Sequence, residues 1–280
     1  MMGRVAGKVA FITGVARGQG RSHAVRLAEE GADIIGVDLL EPVPTMSYAM
    51  ATPDDLAETV RLVEATGRRI IARQADVRDR QSISAVVAEG TSAFGRLDIV
   101  SANAGICPPL AELWEIDPEE WEDVFAVNVT GVFHTVGACV PPMLEYGNGG
   151  SIVLTSSGAG LKGIRHLGGY NASKHAVIGL ALTLANELAR RNIRVNALCP
   201  STVGTPMVTD NPDQLAFFRP DLESPTLEDC LPAFRRSAPM GHEWIDAVDV
   251  SNALVFLASD ESRYVTGTVL PVDQGSSNRP

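Results

Sequence analysis

Val9-Ala10-Phe11-Ile12-Thr13-Gly14-Val15-Ala16-Arg17-Gly18-Gln19-Gly20 is the stretch that decides the fold. Five strand-forming residues run into a turn with three spaced glycines, and an amphipathic stretch over residues 18–30 follows. Glycines let the backbone turn tightly and approach an anion, and the helix N-terminus beyond them favours a pyrophosphate. The pattern gains force when an acid closes the next strand at a fixed distance. Asp38 does so, 18 residues after Gly20, at the end of the run Asp33–Asp38. Taken singly, the turn also fits a purely structural role and Asp38 an ordinary strand end.

Outward from this unit, strand and helix patterns alternate. Further strands are expected at 69–74, 97–102, 151–155, 194–198 and 268–272. Helices are expected at 54–65, 80–94, 118–146, 169–191 and 247–259. Such alternation predicts an α/β fold, a Rossmann-type doubly wound parallel sheet of about seven strands with helices on both faces. A single domain is expected over residues 1–280. Two segments break the rhythm: 39–53, with Pro42 and Pro44, and 205–240, rich in proline and aromatics. Long excursions in a compact domain usually bind or cover ligands, and both follow strand carboxyl ends, where ligands bind in such sheets. The first is expected to fold over a cofactor and the second to form a substrate-binding loop with short helices. Phe217, Phe218, Leu222, Leu231 and Phe234 of that loop, with Ile106, Leu161 and Leu167, are expected to give the pocket an apolar wall.

Bulk composition narrows the partners. A net charge of -11 argues against nucleic acid, which needs a basic surface. No apolar run reaches the ~18 residues of a membrane span. The first residues enter a strand without a signal region, so a cytoplasmic protein off the membrane is expected. Cys107, Cys139, Cys199 and Cys230 form no C-x-x-C pair and are expected to be reduced core or pocket residues, with no metal site.

The chemistry points to Tyr170-Asn171-Ala172-Ser173-Lys174. Residues four apart share a helix face, so the phenol and the ammonium can meet. A free tyrosine, with a pKa near ~10, is a poor base, and an adjacent cation lowers that pKa. Alone, the spacing also fits an exposed amphipathic pair. Ser156-Ser157 precede the tyrosine by fourteen and thirteen residues. For the cofactor, Asp38 can accept from adenosine ribose hydroxyls and would repel a 2′-phosphate. Leu39-Leu40, not an arginine, follow it, so NAD is expected over NADP. Asp76-Val77 and Asn103-Ala104-Gly105 fall at strand carboxyl ends and are expected to contact adenine and ribose. Arg21 and His23 read as ordinary helix-face residues.

Together these motifs resemble the short-chain dehydrogenase/reductase family over nearly the whole chain. The resemblance is carried by T-G-x-x-x-G-x-G at 13–20, with Gly14, Arg17, Gly18, Gln19 and Gly20, and by Asn103-Ala104-Gly105 and Asn128. Ser157, Tyr170, Lys174, Val265-Thr266-Gly267 and Val272-Asp273 complete it. The resemblance implies that Ser157 bonds the substrate oxygen and that Tyr170 is the acid/base. It implies that Lys174 lowers the tyrosine pKa and binds the nicotinamide ribose, and that Asn128 holds a proton-relay water. Pro200, Val203 and Thr205 match the segment contacting the carboxamide and phosphates, although Pro200-Ser201 replaces the usual Pro-Gly. A homotetramer is also implied.

A narrower resemblance, to the mycofactocin-associated, carveol-dehydrogenase-like subfamily, rests on the run 17–23, the insertion after Asp38 and Ala51-Thr52-Pro53-Asp54-Asp55-Leu56. It implies tightly held NAD serviced by a mycofactocin-type redox carrier, acting on a hydrophobic, terpenoid-like secondary alcohol or its ketone. Two other readings stay open: an ordinary dehydrogenase that exchanges NAD, and a non-catalytic NAD-binding sensor.

Overall fold

In the computed structural model, which describes residues 3–278, the chain runs β1 (Val9–Thr13), α1 (Gly18–Glu29), β2 (Asp33–Asp38), α2 (Pro53–Ala65), β3 (Ile70–Gln74), α3 (Arg80–Phe94) and β4 (Ile99–Ala102). It continues with α4 (Pro118–Phe125), α5 (Gly131–Tyr146), β5 (Gly150–Thr155), α6 (Gly168–Leu188), β6 (Ile193–Pro200), α7 (Pro206–Thr209), α8 (Pro212–Phe218), α9 (Leu227–Ser237), α10 (Ala247–Ala258) and β7 (Val269–Val272). Met1, Met2, Arg279 and Pro280, the ends of the expected domain, lie outside the described residues.

The seven strands form one sheet in the order β3-β2-β1-β4-β5-β6-β7, and every pairing is parallel. Side chains alternate across a strand, and β1 shows the consequence. Val9 and Phe11 enter one core with Ile83 and Val87 of α3, Val136 and Met143 of α5, and Val177 and Ala181 of α6. Ala10 and Ile12 enter the other with Leu27 of α1 and Leu254 and Val255 of α10. Burial on both faces is why these strands read as unbroken apolar runs. The winding reverses between β1 and β4, so their carboxyl ends diverge and leave a crevice.

The expected helix at 118–146 is continuous but contains a π turn at Ala126–Thr130, between α4 and α5. By length and composition this helix could cross a membrane, where the sequence reading found no such run. In the fold it lies on the sheet, with Val127, Val132, Cys139 and Met143 buried.

Residues 39–52 form a strap. Val43, Met46 and Tyr48 enter the core behind β1 and β2. Thr45 Oγ1 donates to Asp123 Oδ2 of α4 at 2.6 Å. Ser47 Oγ donates to Asn211 Oδ1, at 3.5 Å, and to Asp213, at the start of α8. The Arg17 guanidinium holds the Ala49 carbonyl. A capping box between Thr52 and Asp55 then starts α2.

Candidate active site

Thr13 and Asn103 sew the crevice at its base. Thr13 Oγ1 accepts from the Asn103 and Ala104 amides at 3.0 Å each, and Asn103 Nδ2 donates to Thr13 O at 3.0 Å. Above them the glycine turn closes on itself. Gly14 has φ +69°, and a Cβ on Gly20 would stand 1.8 Å from the Gly14 carbonyl. The turn therefore presents backbone and the N-terminus of α1, with no side chain in the way.

A cavity of about 150 Å³ results, and the expected residues surround it. Gly14, Arg17, Gly18, Gln19 and Gly20 form one side, Asp38, Leu39, Asp76 and Val77 another, and Asn103, Ala104, Gly105 and Thr205 the mouth. Asp38 Oδ2 accepts from the Ala16 amide at 2.8 Å and Oδ1 from the Leu39 amide at 2.9 Å. Burial raises its carboxyl above the usual range against the pull of those amides. Asp76 is less free than its position suggested, because Arg78 pairs with its carboxylate at 2.8 Å. Gln19 Oε1 is buried without a hydrogen-bond partner. Such an orphan is rare in native folds and marks a place for a donor from a ligand. Glycine cradle, helix terminus, an acid lining the cleft and an orphan acceptor together fit a dinucleotide.

Beyond Gly105 a second cavity, of about 320 Å³, adjoins the first, sharing Gln19, Asn103, Gly105, Thr205 and Met207 with it. Ser157, Tyr170, Lys174, Pro200 and Val203 line it. Lys174 is buried on α6, its Nζ donating to Thr155 O at the end of β5 at 3.1 Å. Burial lowers its ammonium to about 8. Lys174 Nζ stands 5.5 Å from the centre of the Tyr170 ring. The expected fall in the tyrosine pKa does not come from the protein alone: burial raises the phenol and outweighs the downward pull of the Ser157 hydroxyl. Ser157 caps the short turn Gly158–Gly160, its Oγ accepting from the Ala159 amide at 3.1 Å.

Asn128 sits in the π turn, fully buried. Its Oδ1 accepts from the Ile106 amide at 2.8 Å, and its Nδ2 donates to Ile106 O at 2.9 Å and Ser173 Oγ at 3.2 Å. The side-chain amide therefore ties the loop after β4 to α6. A Cβ on Gly105 would lie 3.2 Å from Asn128 Oδ1 and 3.3 Å from Lys174 Nζ, so a larger residue there would press on both groups. Ser201 has no positive φ, and its amide donates to Val272 O at 3.1 Å. The turn after β6 does not need the missing glycine.

The pocket wall corrects part of the sequence reading. Leu167, Phe217 and Phe218 line the second cavity, but Ile106 lines the first, and Leu161, Leu222, Leu231 and Phe234 line neither. Phe234 is fully buried, supporting Phe218 at 4.2 Å between ring centres. In their place stand Ile164, Met207, Val208, Gln214 and Cys107. Gln214 Nε2 reaches Cys107 Sγ at 3.3 Å, and burial pushes that thiol up to about 12. Tyr48 was also missed: it lines the first cavity, and its hydroxyl accepts from the Cys107 amide at 3.2 Å. One of only four tyrosines, inside the proline-containing insertion, was the available signal. Arg21 and His23, read as helix-face residues and not catalysts, line neither cavity and hold α1 in place. Arg21 clamps Ala16 O, at 2.7 Å, to Thr59 and Asp55 of α2, and His23 is fully buried. All four cysteines are free and buried.

Fold and site define an α/β protein with a dinucleotide-shaped cleft and, beside it, a second pocket lined by a serine, a tyrosine and a lysine. A family model described as Enoyl-(Acyl carrier protein) reductase matches residues 14–277. The (-)-trans-carveol dehydrogenase of Rhodococcus erythropolis is 49% identical over 276 residues, 99% of each chain. The structure of carveol dehydrogenase from Mycobacterium avium in complex with NAD is 52% identical, with a TM-score of 0.97 over 99% of this chain and 100% of that one. A short chain dehydrogenase from Mycobacterium paratuberculosis bound to NAD is 46% identical, with a TM-score of 0.90 over the same shares. The chain belongs to the short-chain dehydrogenase/reductase family.

Proposed function

We propose that this chain is an NAD-dependent oxidoreductase that interconverts a hydrophobic secondary alcohol and its ketone. It holds NAD tightly beneath the strap and passes electrons to a mycofactocin-type carrier. One observation carries the reading: Ser157, Tyr170 and Lys174 line the pocket where it adjoins the glycine cleft at Gly105. The NAD in two similar structures and the carveol in a relative's name support the cofactor and a terpenoid-like substrate.

NAD, when bound, supplies the hydride acceptor. It would lie against Gly14, Gly18 and Gly20, with Asp38 at the adenosine ribose and Thr205 near the mouth. The chain's own work is proton transfer and orientation. Ser157 and Tyr170 bracket the substrate hydroxyl, and Tyr170 removes its proton during oxidation. General-base help of this kind is worth ~10²–10⁴-fold. Lys174, anchored to Thr155 O, keeps a positive charge beside the phenol. Asn128 acts by pinning the loop at Ile106 to α6, so a relay water would use its main-chain carbonyl or its one remaining lone pair.

Tyr170→Phe should remove turnover while NAD stays bound. Near-normal oxidation of a good substrate by that variant would exclude the assignment. An alcohol panel should be read with an artificial electron acceptor, because free NAD cannot report on a trapped cofactor. The alternative, a dehydrogenase that exchanges NAD, finds support in the strap's ties, which are few and partly exposed. A sensor would have no use for the complete Asn128, Ser157, Tyr170 and Lys174 set. The exposed Trp121, Phe133 and Leu182 on α4, α5 and α6 support a homotetramer, and we assign the protein to the cytoplasm.

A further inference from the structure

The second cavity has two chemistries. Ile164, Leu167, Met207, Phe217 and Phe218 make one part apolar, whereas Lys162, Ser237, Ser276 and Ser277 make another part polar. Lys162 is one of three lysines in the chain. It lies five residues after Ser157, past the turn Gly158–Gly160, so at most about 17 Å of backbone separates it from the reacting end.

Its ammonium is positioned but not consumed. Lys162 Nζ donates to Ser276 O at 2.6 Å, and an ammonium has two further donors. Asp273 feels its charge, but the bonds its two oxygens make are to the Gly275 amide at 2.9 Å and the Ser277 amide at 2.7 Å, not to Lys162. Lys162 makes no ion pair among the described residues. A terpene-like alcohol with one hydroxyl gives such a cation nothing to bind, and desolvating it against hydrocarbon is unfavourable.

We infer that this polar part is a subsite for a carboxylate on the substrate, with Lys162 as its counter-ion. The inference rests on the dehydrogenase reading above and narrows it: the substrate is an amphiphilic hydroxy acid. Its hydroxyl lies at Tyr170, its hydrocarbon frame under α8, and its carboxylate at Lys162 and the Ser276–Ser277 turn.

The test compares 4-oxocyclohexanecarboxylate with its neutral isostere, 4-oxocyclohexanecarboxamide. Calorimetry measures the binding of each to protein loaded with NAD. A partly exposed charge-assisted contact should give the keto acid an advantage of about tenfold. Lys162→Met should erase that advantage, and Lys162→Arg, which keeps a cation, should retain most of it. No preference in the wild type, or a preference that survives Lys162→Met, overturns the subsite. Binding decides this whether or not either compound turns over. Oxidation of 4-methylcyclohexanol, measured alongside, judges the dehydrogenase reading by itself.

Discussion

Lys174 is held in the fold at a cost. Its pKa falls from 10.5 to about 8 through burial, a difference of roughly 3 kcal/mol between charged and neutral forms. Between those two values the unfolded chain binds more protons than the folded one, so this lysine makes stability rise with pH across that window. Below about pH 8 the cost is present in full. Lys174→Met should therefore raise the melting temperature at pH 7 by a few degrees, after about 1 kcal/mol is subtracted for the lost bond to Thr155 O. The gain should shrink by pH 10, while turnover is abolished. A variant less stable than the wild type at pH 7 would mean that the ammonium is solvated in the fold. The Tyr170–Lys174 pair was legible in the sequence because helix spacing is local. What was not legible is that the fold buries Lys174 and draws the half-buried Tyr170 out of water, which raises the phenol rather than lowering it. The groups around Tyr170 thus raise its phenol on balance, and a positive charge bound nearby would act in the opposite direction.

Among the elements, α1 shows what periodicity conveys and omits. Its start was readable from the glycine turn, and its pairing with α10 was not. His23 is fully buried against α10, with Nδ1 2.8 Å from Ser251 Oγ and Nε2 unpartnered. Burial lowers its pKa to about 3, so the ring is neutral in the fold. Here too the unfolded chain binds the extra proton, now between about pH 3 and 6.5. Stability is full above 6.5 and is lost as pH falls through that window, by up to roughly 5 kcal/mol. His23→Asn should lower the urea midpoint at pH 7 yet flatten its decline toward pH 4.5. Parallel declines in the two proteins would show that carboxylates, not His23, set the acid limit. The π turn at Ala126–Thr130 was hidden for a related reason. One extra residue per turn leaves no mark in an apolar pattern, and tertiary contact of Asn128 with Ile106 and Ser173 holds it in place.

At the scale of the whole molecule, the strap joins parts that the sequence kept separate. Its existence was legible, because Pro42 and Pro44 break the strand–helix rhythm, but its ties were not, because each is a long-range side-chain bond. Thr45 reaches Asp123, which Arg78 also holds at 3.2 Å while pairing with Asp76 in the cofactor cleft. Ser47 reaches the start of α8, whose Gln214 and Phe217 line the substrate pocket. Strap, α4 and α8 are thus fastened to one another, and under the proposed tight holding of NAD these ties would have to open before the cofactor leaves. Each is worth about 1 kcal/mol net, so losing both should speed NAD release by roughly thirtyfold. Wild-type protein purified without added cofactor should retain stoichiometric NAD through extended dialysis. The Thr45→Ala/Ser47→Ala double variant should lose it during the same dialysis, yet turn over normally when NAD is supplied in excess. Neither position lines either cavity, so the loss would report on the strap and not on the chemistry. An apo wild-type protein, or equal retention by both, would make this an ordinary exchanging dehydrogenase.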